Sequence, residues 1–332
     1  MSGVCPACRE EMTPSAVEVH RDRIQGKEYR LYLCAVCGTG FSEPKEPVGS
    51  DWYGRAHMGE AEVQKADWRY AAFLDAGLLP GTLLDVGCGA GTFLLLARER
   101  GWKVSGLDFN AEHIRSAKAA GLEDVVAQDY RDYFKARASS YDAATLFDVL
   151  EHVPEPADML ERLRGVLKPG GRLALTLPDG ERPLPWAGLR EEWDYPPYHY
   201  TRWTEASLRS VLARAGFEVE AARHSPIHAG FFSGLLYYRL LNLLFPPLKR
   251  LLLGVPASDS RTWTDILASG SAAPPGGLRG ALTRGELRQS LTNAGLRAMN
   301  IAAWPLEAPL ALAFNLLAPR RGRTLFLLAR RP

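Results

Sequence analysis

Residues 82–91 read Thr-Leu-Leu-Asp-Val-Gly-Cys-Gly-Ala-Gly, and this stretch decides the fold. A short apolar run ends in Asp85, and three glycines follow at alternate positions: Gly87, Gly89 and Gly91. The pattern predicts a buried strand that breaks into a tight turn and opens a helix over 93–100. Glycines let the backbone turn sharply and approach a ligand closely. The spacing differs from the dinucleotide fingerprint G-x-G-x-x-G, which needs glycine where Thr92 stands.

Polar side chains also end the next predicted strands, at 103–108, 124–127 and 141–147. The residues at these strand ends are Asp108 and Phe109, Gln128 and Asp129, and Phe147 and Asp148. In an open α/β sheet, ligands bind outside the carboxyl ends of the strands. An acid after the second strand is placed to accept hydrogen bonds from ribose hydroxyls. A fifth strand is predicted within 168–178, after a helix over 156–167.

Five ordered motifs resemble those of the class I S-adenosylmethionine-dependent methyltransferases, in particular the group that includes the ubiquinone-biosynthesis O-methyltransferases. The motifs are Asp-Val-Gly-Cys-Gly-Ala-Gly, Gly-Leu-Asp, Ala-Gln-Asp, Phe-Asp-Val-Leu-Glu-His-Val and Leu-Lys-Pro-Gly-Gly. The resemblance covers roughly residues 50–220 and the final strand. It implies an α/β, Rossmann-like seven-stranded sheet in which only the last strand is antiparallel. It also implies an enzyme that uses S-adenosylmethionine.

The resemblance implies a set of cofactor-binding residues: Asp85, Gly87, Cys88, Gly89, Gly91, Asp108, Phe109, Gln128, Asp129, Phe147 and Asp148. The glycines would pass under the methionine end, with Asp85 near its amino group. Asp108 would hold the ribose, and Asp129 the adenine amine with Gln128 beside it. Asp148 and the phenylalanine before it would close the pocket around the sulfonium.

Elementary electrostatics agrees with this assignment, because a cofactor that is cationic at sulfur suits acids at the strand ends. A phosphate would need basic residues there instead. For each acid the alternative is a helix cap or a solvated loop charge. Cys88, inside the glycine loop, fits the role of a small packing residue better than that of a nucleophile or ligand.

Four of the five cysteines form two C-x-x-C pairs, Cys5 with Cys8 and Cys34 with Cys37, separated by 25 residues. This arrangement is typical of a tetrahedral zinc site. Residues 17–20 and 29–33 alternate like the strands of a small ribbon. The alternatives are two disulfides, which suit a secreted protein, and a thioredoxin-like redox centre, which needs a βαβ unit.

The predicted zinc ribbon, residues 1–47, carries six Lys and Arg against seven Asp and Glu, so it lacks the basic surface of an RNA-binding module. Some ribosomal-RNA guanine methyltransferases and some deoxysugar C-methyltransferases carry amino-terminal zinc modules, and the layout resembles the latter loosely. The interpretation we adopt is a structural ribbon that covers or orients the active site.

The aromatic segment Trp-Asp-Tyr-Pro-Pro-Tyr-His-Tyr-Thr-Arg-Trp-Thr (193–204) follows the fifth strand and is expected over the carboxyl edge of the sheet. It contains His199, whose ordinary pKa near neutrality suits a general base for the methyl acceptor. His152 faces the same predicted cleft and is the second candidate. The alternative for both histidines is a local hydrogen bond that holds a loop to the core.

A helix-strand pattern occurs twice, over 204–217 and again over 283–296. Each copy precedes a strand-like run, 217–223 or 296–304, and only one run can lie beside the closing strand, 324–329. We favour 217–223 as the sixth strand. Convergence on a common pattern explains the repeat equally well.

The carboxy-terminal third is basic, since residues 225–332 hold 13 Lys and Arg against 4 Asp and Glu, a net charge of +9. Residues 231–253 are apolar and basic, but their uninterrupted part is too short to span a membrane. They predict an amphipathic helix at a membrane surface, or a helix pair that forms a lid or a dimer face. Residues 256–282 read as a loop.

The sequence thus predicts four parts: a zinc ribbon (1–47), a cofactor-binding core (48–224), an apolar basic insertion with a loop (225–282), and a second helix-strand unit with the closing strand (283–332). The chain has 332 residues, 46% of them hydrophobic, and a net charge of +2, which suits a globular enzyme. No secretory leader begins it, so we expect a cytoplasmic protein, with a peripheral position at the inner membrane face as the alternative.

The predicted activity is transfer of a methyl group from S-adenosylmethionine to oxygen or carbon of a small molecule, such as a sugar, a natural product or a lipid-linked intermediate. Structural Zn²⁺ is the second expected cofactor. The alternatives are a methyltransferase of ribosomal RNA or other nucleic acid, which the charge balance of the ribbon disfavours, and a non-catalytic scaffold that binds the cofactor. The pattern predicts neither the acceptor atom nor the oligomeric state.

Overall fold

A computed structural model describes most of the amino-terminal two thirds of the chain and its closing strand. The described residues are 3–12, 16–22, 26–46, 67–181, 194–226, 305–313, 316–317 and 322–332. The chain divides into two compact units. The first comprises Met1–Pro183, Arg190–Ser225 and Arg320–Pro332, and the second Leu184–Leu189 and Pro226–Pro319. In the second unit, residues 305–313 are helical.

The strands are β1 (Gly3–Val4), β2 (Glu11–Met12), β3 (Ala16–Arg21), β4 (Glu28–Leu33), β5 (Gly40–Glu43), β6 (Thr82–Val86), β7 (Lys103–Asp108), β8 (Val125–Ala127), β9 (Tyr141–Phe147), β10 (Leu167–Pro178), β11 (Thr201–Arg202), β12 (Glu218–His224) and β13 (Thr324–Arg330). The α-helices are α1 (Trp68–Leu74), α2 (Thr92–Glu99), α3 (Ala111–Ala119), α4 (Tyr130–Phe134), α5 (Pro156–Val166) and α6 (Glu205–Arg214). A 3₁₀ turn spans Leu150–His152.

The large sheet has seven strands in the order β12-β13-β10-β9-β6-β7-β8. The pairs β6–β7, β7–β8, β6–β9 and β9–β10 are parallel. Strand β13 is antiparallel to both of its neighbours, β10 and β12. This confirms the predicted mixed sheet with an antiparallel last strand. Strand β12 is the sixth strand that we favoured, whereas 296–304 lies outside the described residues.

Local sequence explains why these elements form. The central strands are continuous apolar runs, as expected where helices cover both faces of a parallel sheet, and Leu83, Leu84 and Leu146 are fully buried. The Asn110 side chain caps α3 by accepting from two backbone amides, and Thr204 starts α6 with a capping box. Such caps satisfy amides that have no partner inside the helix.

The predicted ribbon consists of the hairpin β1–β2 and a four-stranded antiparallel sheet in the order β11-β5-β4-β3. The strands predicted at 17–20 and 29–33 are therefore present. No local pattern predicted β11, which lies within the aromatic segment and pairs with β5. The ribbon belongs to the same compact unit as the large sheet.

Specific contacts join the ribbon to α5 and α6. The carbonyl of Pro6 accepts from the amide of Ala157 at 3.2 Å. Ion pairs of 2.7 Å link Arg9 to Glu161, and Glu10 to Arg214. The first C-x-x-C turn is thus held against α5 and α6.

None of the described helices combines the length and hydropathy that a bilayer-spanning segment needs. The apolar basic segment 231–253, the loop 256–282 and the second helix copy 283–296 lie outside the described residues. The membrane, lid and dimer interpretations of that region remain predictions.

Candidate functional site

The glycine loop between β6 and α2 is closed on one side and open at its middle. Gly87, Gly89 and Gly91 all have positive φ, at 78°, 53° and 83°. A Cβ atom at Gly91 would lie 2.2 Å from a methyl carbon of Leu122, so the loop packs tightly there. A Cβ at Gly89 would meet nothing within 4 Å. The backbone at Gly89 is therefore open to close approach by a ligand.

Asp85 lies at the end of β6 under this loop and is only 3% exposed. Its carboxyl accepts a hydrogen bond of 2.6 Å from the hydroxyl of Thr145. Burial, with a further contribution from the charge of Asp108, raises the pKa of Asp85 to about 7. A buried carboxyl that is held close to ionisation in this way suits a cationic group of a ligand.

Asp108 ties the loop to the end of β7. One carboxylate oxygen accepts from the amide of Gly89 at 2.9 Å, and the other accepts from the amide of Asn110 at 2.8 Å. The residue is 8% exposed. His113, which the sequence reasoning missed, has its Nδ1 3.8 Å from Asp108, and this contact raises the pKa of the histidine. Phe109, half exposed at 57%, follows directly and borders the same edge.

The predicted adenine-binding pair lies at the end of β8. The backbone amide of Gln128 donates to the backbone carbonyl of Asp108 at 3.1 Å, so the ends of β7 and β8 are adjacent. The Asp129 side chain accepts from the amide of Arg131 and caps α4. The helix-cap alternative therefore describes what Asp129 does here, and its contact with an adenine remains a prediction.

Phe147 and Asp148 lie at the end of β9, and Arg69 of α1 reaches Asp148. Phe147 packs edge-on against Phe93, with ring centroids 4.8 Å apart. Asp148 has a φ of 54°, accepts from Thr176 at 3.0 Å, and forms an ion pair with Arg69. Non-glycine residues in this conformation concentrate at functional sites. Arg69 could not be predicted as a site residue, because its contact with Asp148 joins distant parts of the chain.

Cys88 packs inside the loop. It is 7% exposed, and a Cβ placed on Gly106 of β7 would lie 2.8 Å from its Sγ. Burial raises the pKa of this thiol, which disfavours the reactive thiolate. The packing interpretation of Cys88 thus fits the structure, and direct contact with the cofactor stays a prediction.

The two candidate histidines meet beyond the end of β9, with ring centroids 4.8 Å apart. His152 Nδ1 lies 2.6 Å from the carbonyl of Tyr198, and burial lowers the pKa of His152 to about 4. His199 is 7% exposed, and its Nδ1 lies 3.9 Å from a carboxylate oxygen of Asp194.

Glu151 completes this group and was missed at the sequence level, although it lies within the Leu-Glu-His-Val motif. A carboxyl oxygen of Glu151 and one nitrogen each of His152 and His199 lie within 4.8 Å of one another. Burial raises the pKa of Glu151 to about 8. In sequence, nothing distinguishes this glutamate from an exposed one.

The four amino-terminal cysteines converge as predicted. Sγ of Cys5 lies 3.8 Å from that of Cys37, and Sγ of Cys8 lies 3.7 Å from that of Cys34. Four sulfurs at about 2.3 Å from a tetrahedral Zn²⁺ are roughly 3.8 Å apart. The hydrogen bond between Cys5 and Cys37 lowers the pKa of Cys37 to about 5 and raises the pKa of Cys5, as expected of two thiols that share one proton. These residues fit a structural zinc ion.

Comparisons with known proteins agree with this geometry. Residues 60–222 match a family model described as a methyltransferase domain. A ubiquinone biosynthesis O-methyltransferase from Pseudomonas paraeruginosa is 36% identical over 106 residues, which are 30% of this chain and 46% of the relative. One from Xanthomonas oryzae pv. oryzae is 37% identical over 28% of this chain and 41% of the relative.

The family model spans just under half of the chain, and with the strand order of the large sheet it supports a class I methyltransferase domain there. Among solved structures, a SAM dependent methyltransferase from Archaeoglobus fulgidus is 16% identical, with a TM-score of 0.48 over 84% of this chain and 98% of that one. The chain spans less than half the length of the curated relatives that it matches.

The cofactor of such methyltransferase domains is S-adenosylmethionine, and the residues present fit it. Its ammonium and sulfonium groups are cationic, whereas Asp85 and Asp108 place two buried acids beside the open backbone of Gly89. Asp148 and Phe147 lie at the next strand end. All the predicted residues at the ends of the strands thus lie at one edge of the sheet.

Proposed function

We propose that this protein transfers a methyl group from S-adenosylmethionine to oxygen or carbon of a small-molecule acceptor, such as a sugar, a natural product or a lipid-linked intermediate. The observation that carries the proposal is the pair of buried acids, Asp85 and Asp108, on either side of an open glycine loop. The similar curated proteins are O-methyltransferases, which favours oxygen as the acceptor atom.

The protein has little covalent chemistry to do. Bound S-adenosylmethionine would supply a methyl carbon that the positive sulfur already activates. The glycine loop and Asp85 would fix the methionine end, and Asp108 the ribose. The remaining tasks are to place the acceptor in line with the methyl group, to exclude water, and to remove the acceptor's proton.

We assign the role of general base, which takes up the acceptor's proton, to His199. His152 has a pKa lowered to about 4, so it is a weak base near neutral pH. His199 has Asp194 at 3.9 Å, and that carboxylate can stabilise the imidazolium that forms. His152 then serves to hold the segment around Tyr198 against the core through its Nδ1.

The zinc ribbon is proposed to shape the acceptor side of the site. Its strand β5 pairs with β11, and the amide of Ser42 donates to the carbonyl of Tyr200 at 3.0 Å. The neighbouring His199 is thereby placed by the ribbon and the core together. The charge balance of the ribbon favours this orienting role over binding of nucleic acid.

Binding of cofactor and transfer of the methyl group test the proposal in sequence. Calorimetry should show binding of S-adenosylmethionine and of its demethylated product, S-adenosylhomocysteine, and Asp108→Ala should weaken both by about tenfold or more. Labelled methyl from the donor should then appear in a small molecule of a metabolite extract. Binding without any transfer would favour the scaffold alternative, and label in RNA with steep salt dependence would favour the nucleic-acid alternative.

A further inference from the structure

The Glu151 carboxyl is a buried polar group whose partner is absent from the described part of the chain. The residue is 2% exposed, and neither carboxyl oxygen has a hydrogen-bond partner among the described residues. Buried polar groups are nearly always hydrogen-bonded, and leaving one unpaired is costly. Such a carboxyl inside a candidate active site is satisfied when a ligand supplies the missing partner.

The backbone around Glu151 is fixed, so the carboxyl has a defined position. It lies on the 3₁₀ turn that follows β9 and Asp148. Its carbonyl accepts from the amide of Tyr200 at 2.9 Å and from the hydroxyl of Thr201 at 3.4 Å. The segment that carries His199 is thereby bonded directly to this turn.

The charged and titratable groups that face Glu151 come from three elements. Arg69 of α1 is the nearby cation, but its guanidinium forms ion pairs with Asp67 and Asp148. His152 belongs to the same turn, and His199 lies on the segment that covers it, with Asp194 behind it. The attraction of Arg69 is therefore outweighed by burial, and the pKa of Glu151 is raised to about 8.

We propose that Glu151 is an acceptor-binding residue, which stays an uncharged carboxylic acid and donates a hydrogen bond to an oxygen of the methyl acceptor. This inference rests on the proposed function. Because Glu151 and His199 place their polar atoms within 4.8 Å of each other, the oxygen that Glu151 binds must be close to the reacting atom. A donor bonded to the reacting oxygen would weaken its nucleophilicity, so the acceptor that fits carries a second oxygen, a hydroxyl, carbonyl or ether, beside the group that is methylated.

His199 and Glu151 have different roles in the proposed reaction. The acceptor oxygen forms its bond to the methyl carbon while the carbon–sulfur bond breaks and its electron pair stays on sulfur. The proton of the acceptor passes to His199, and Glu151 keeps its own proton throughout. A neutral donor at this position stabilises charge on the neighbouring oxygen without repelling the electron-rich acceptor.

The protonation of Glu151 is testable without an acceptor, by comparing Glu151→Gln with the natural protein. A carboxyl whose pKa is raised from 4.5 to about 8 contributes stability below its unfolded pKa and loses it as pH rises through 8. The melting temperature of the natural protein should therefore fall relative to Glu151→Gln between about pH 5 and about pH 8, and the difference should level off above that. Glu123→Gln, at an exposed position, is the matched control and should follow the natural protein.

The binding role is tested with S-adenosylmethionine labelled in its methyl group and a metabolite extract as the source of acceptor. Glutamine is also a neutral donor, so Glu151→Gln should bind the acceptor more tightly than Glu151→Ala and lose the decline of activity above pH 8. Glu151→Ala should raise the apparent KM for acceptor by about tenfold or more while S-adenosylhomocysteine still binds.

Two results would overturn the inference and leave the proposed function standing. Loss of kcat in Glu151→Gln, with S-adenosylhomocysteine binding intact, would make the carboxylate a general base. A requirement for added Mg²⁺ or Mn²⁺ that disappears in Glu151→Gln would make it a cation ligand. By contrast, failure of the natural protein to bind S-adenosylhomocysteine at all would overturn the proposed function itself.

Discussion

At the scale of single residues, Asp85 couples the predicted cofactor site to pH. Its raised pKa of about 7 means that the carboxyl loses its charge as the pH falls below neutrality. A cationic ligand prefers the ionised form, so affinity for S-adenosylmethionine should fall by up to about tenfold per unit below pH 7. Calorimetry from about pH 5.5 to about pH 7.5 measures this. Asp85→Asn should bind more weakly with little dependence on pH, and an equal slope in both proteins would refute the assignment.

Two glycines of the same loop form a matched pair for separating folding from binding. An alanine at Gly91 meets Leu122 at 2.2 Å in a left-handed conformation, and should lower the free energy of unfolding by about 2 to 4 kcal/mol. An alanine at Gly89 meets open space, so it should cost only about 1 kcal/mol of conformational strain and act mainly by weakening cofactor binding. Urea unfolding and calorimetry on both variants distinguish the effects. Equal losses of stability would contradict this account.

At the scale of elements, the zinc ribbon and the large sheet are joined through β5 and β11. Removing the metal should therefore loosen the ribbon and the segment 194–203 together, while β6 and β7 keep their protection. Hydrogen exchange after chelation measures this, with the zinc content followed in parallel. Exchange that increases in the ribbon alone would show that the segment does not depend on the metal.

Serine substitutions supply the control for metal removal. Cys34→Ser or Cys37→Ser should abolish the content of about one zinc ion per chain, since a structural site needs four ligands. Cys88→Ser, in the glycine loop, should retain the metal because Cys88 packs against Gly106. Zinc loss in Cys88→Ser would contradict the assignment of the site.

At the scale of the whole molecule, one buried histidine links three elements of the first compact unit. His224 at the end of β12 lies 2.9 Å from Asp179, just after β10, and 3.0 Å from Glu205 in α6. The hydrogen bond to Asp179 raises the pKa of His224. Its contribution to stability is thus present below the ordinary histidine pKa and is lost as pH rises through the raised value.

His224→Gln tests that link. The variant should be less stable than the natural protein by about 1 to 3 kcal/mol at mildly acid pH, and the difference should shrink at alkaline pH. Urea unfolding at the two pH values provides the measurement. A difference that does not change with pH would show that His224 is not protonated between the two carboxyls.

Local patterns were sufficient for much of the fold. The strands over 82–86, 103–108 and 141–147 could be predicted because each is an apolar run with a polar residue at its end. The cysteine pairs indicated the metal cluster because ligand spacing is a local property. The order of the five motifs indicated the cofactor, S-adenosylmethionine.

Contacts between distant segments were decided only by the tertiary structure. The pairing of β5 with β11 and the ion pair of Arg69 with Asp148 join residues that are far apart in the chain. The burial of Glu151 depends on segments that pack over it from elsewhere in the chain. The sequence by itself determined which residues end the strands and hold the metal, because those properties depend on near neighbours. Which carboxyl is held without charge depends on the segments packed around it, and no local pattern records them.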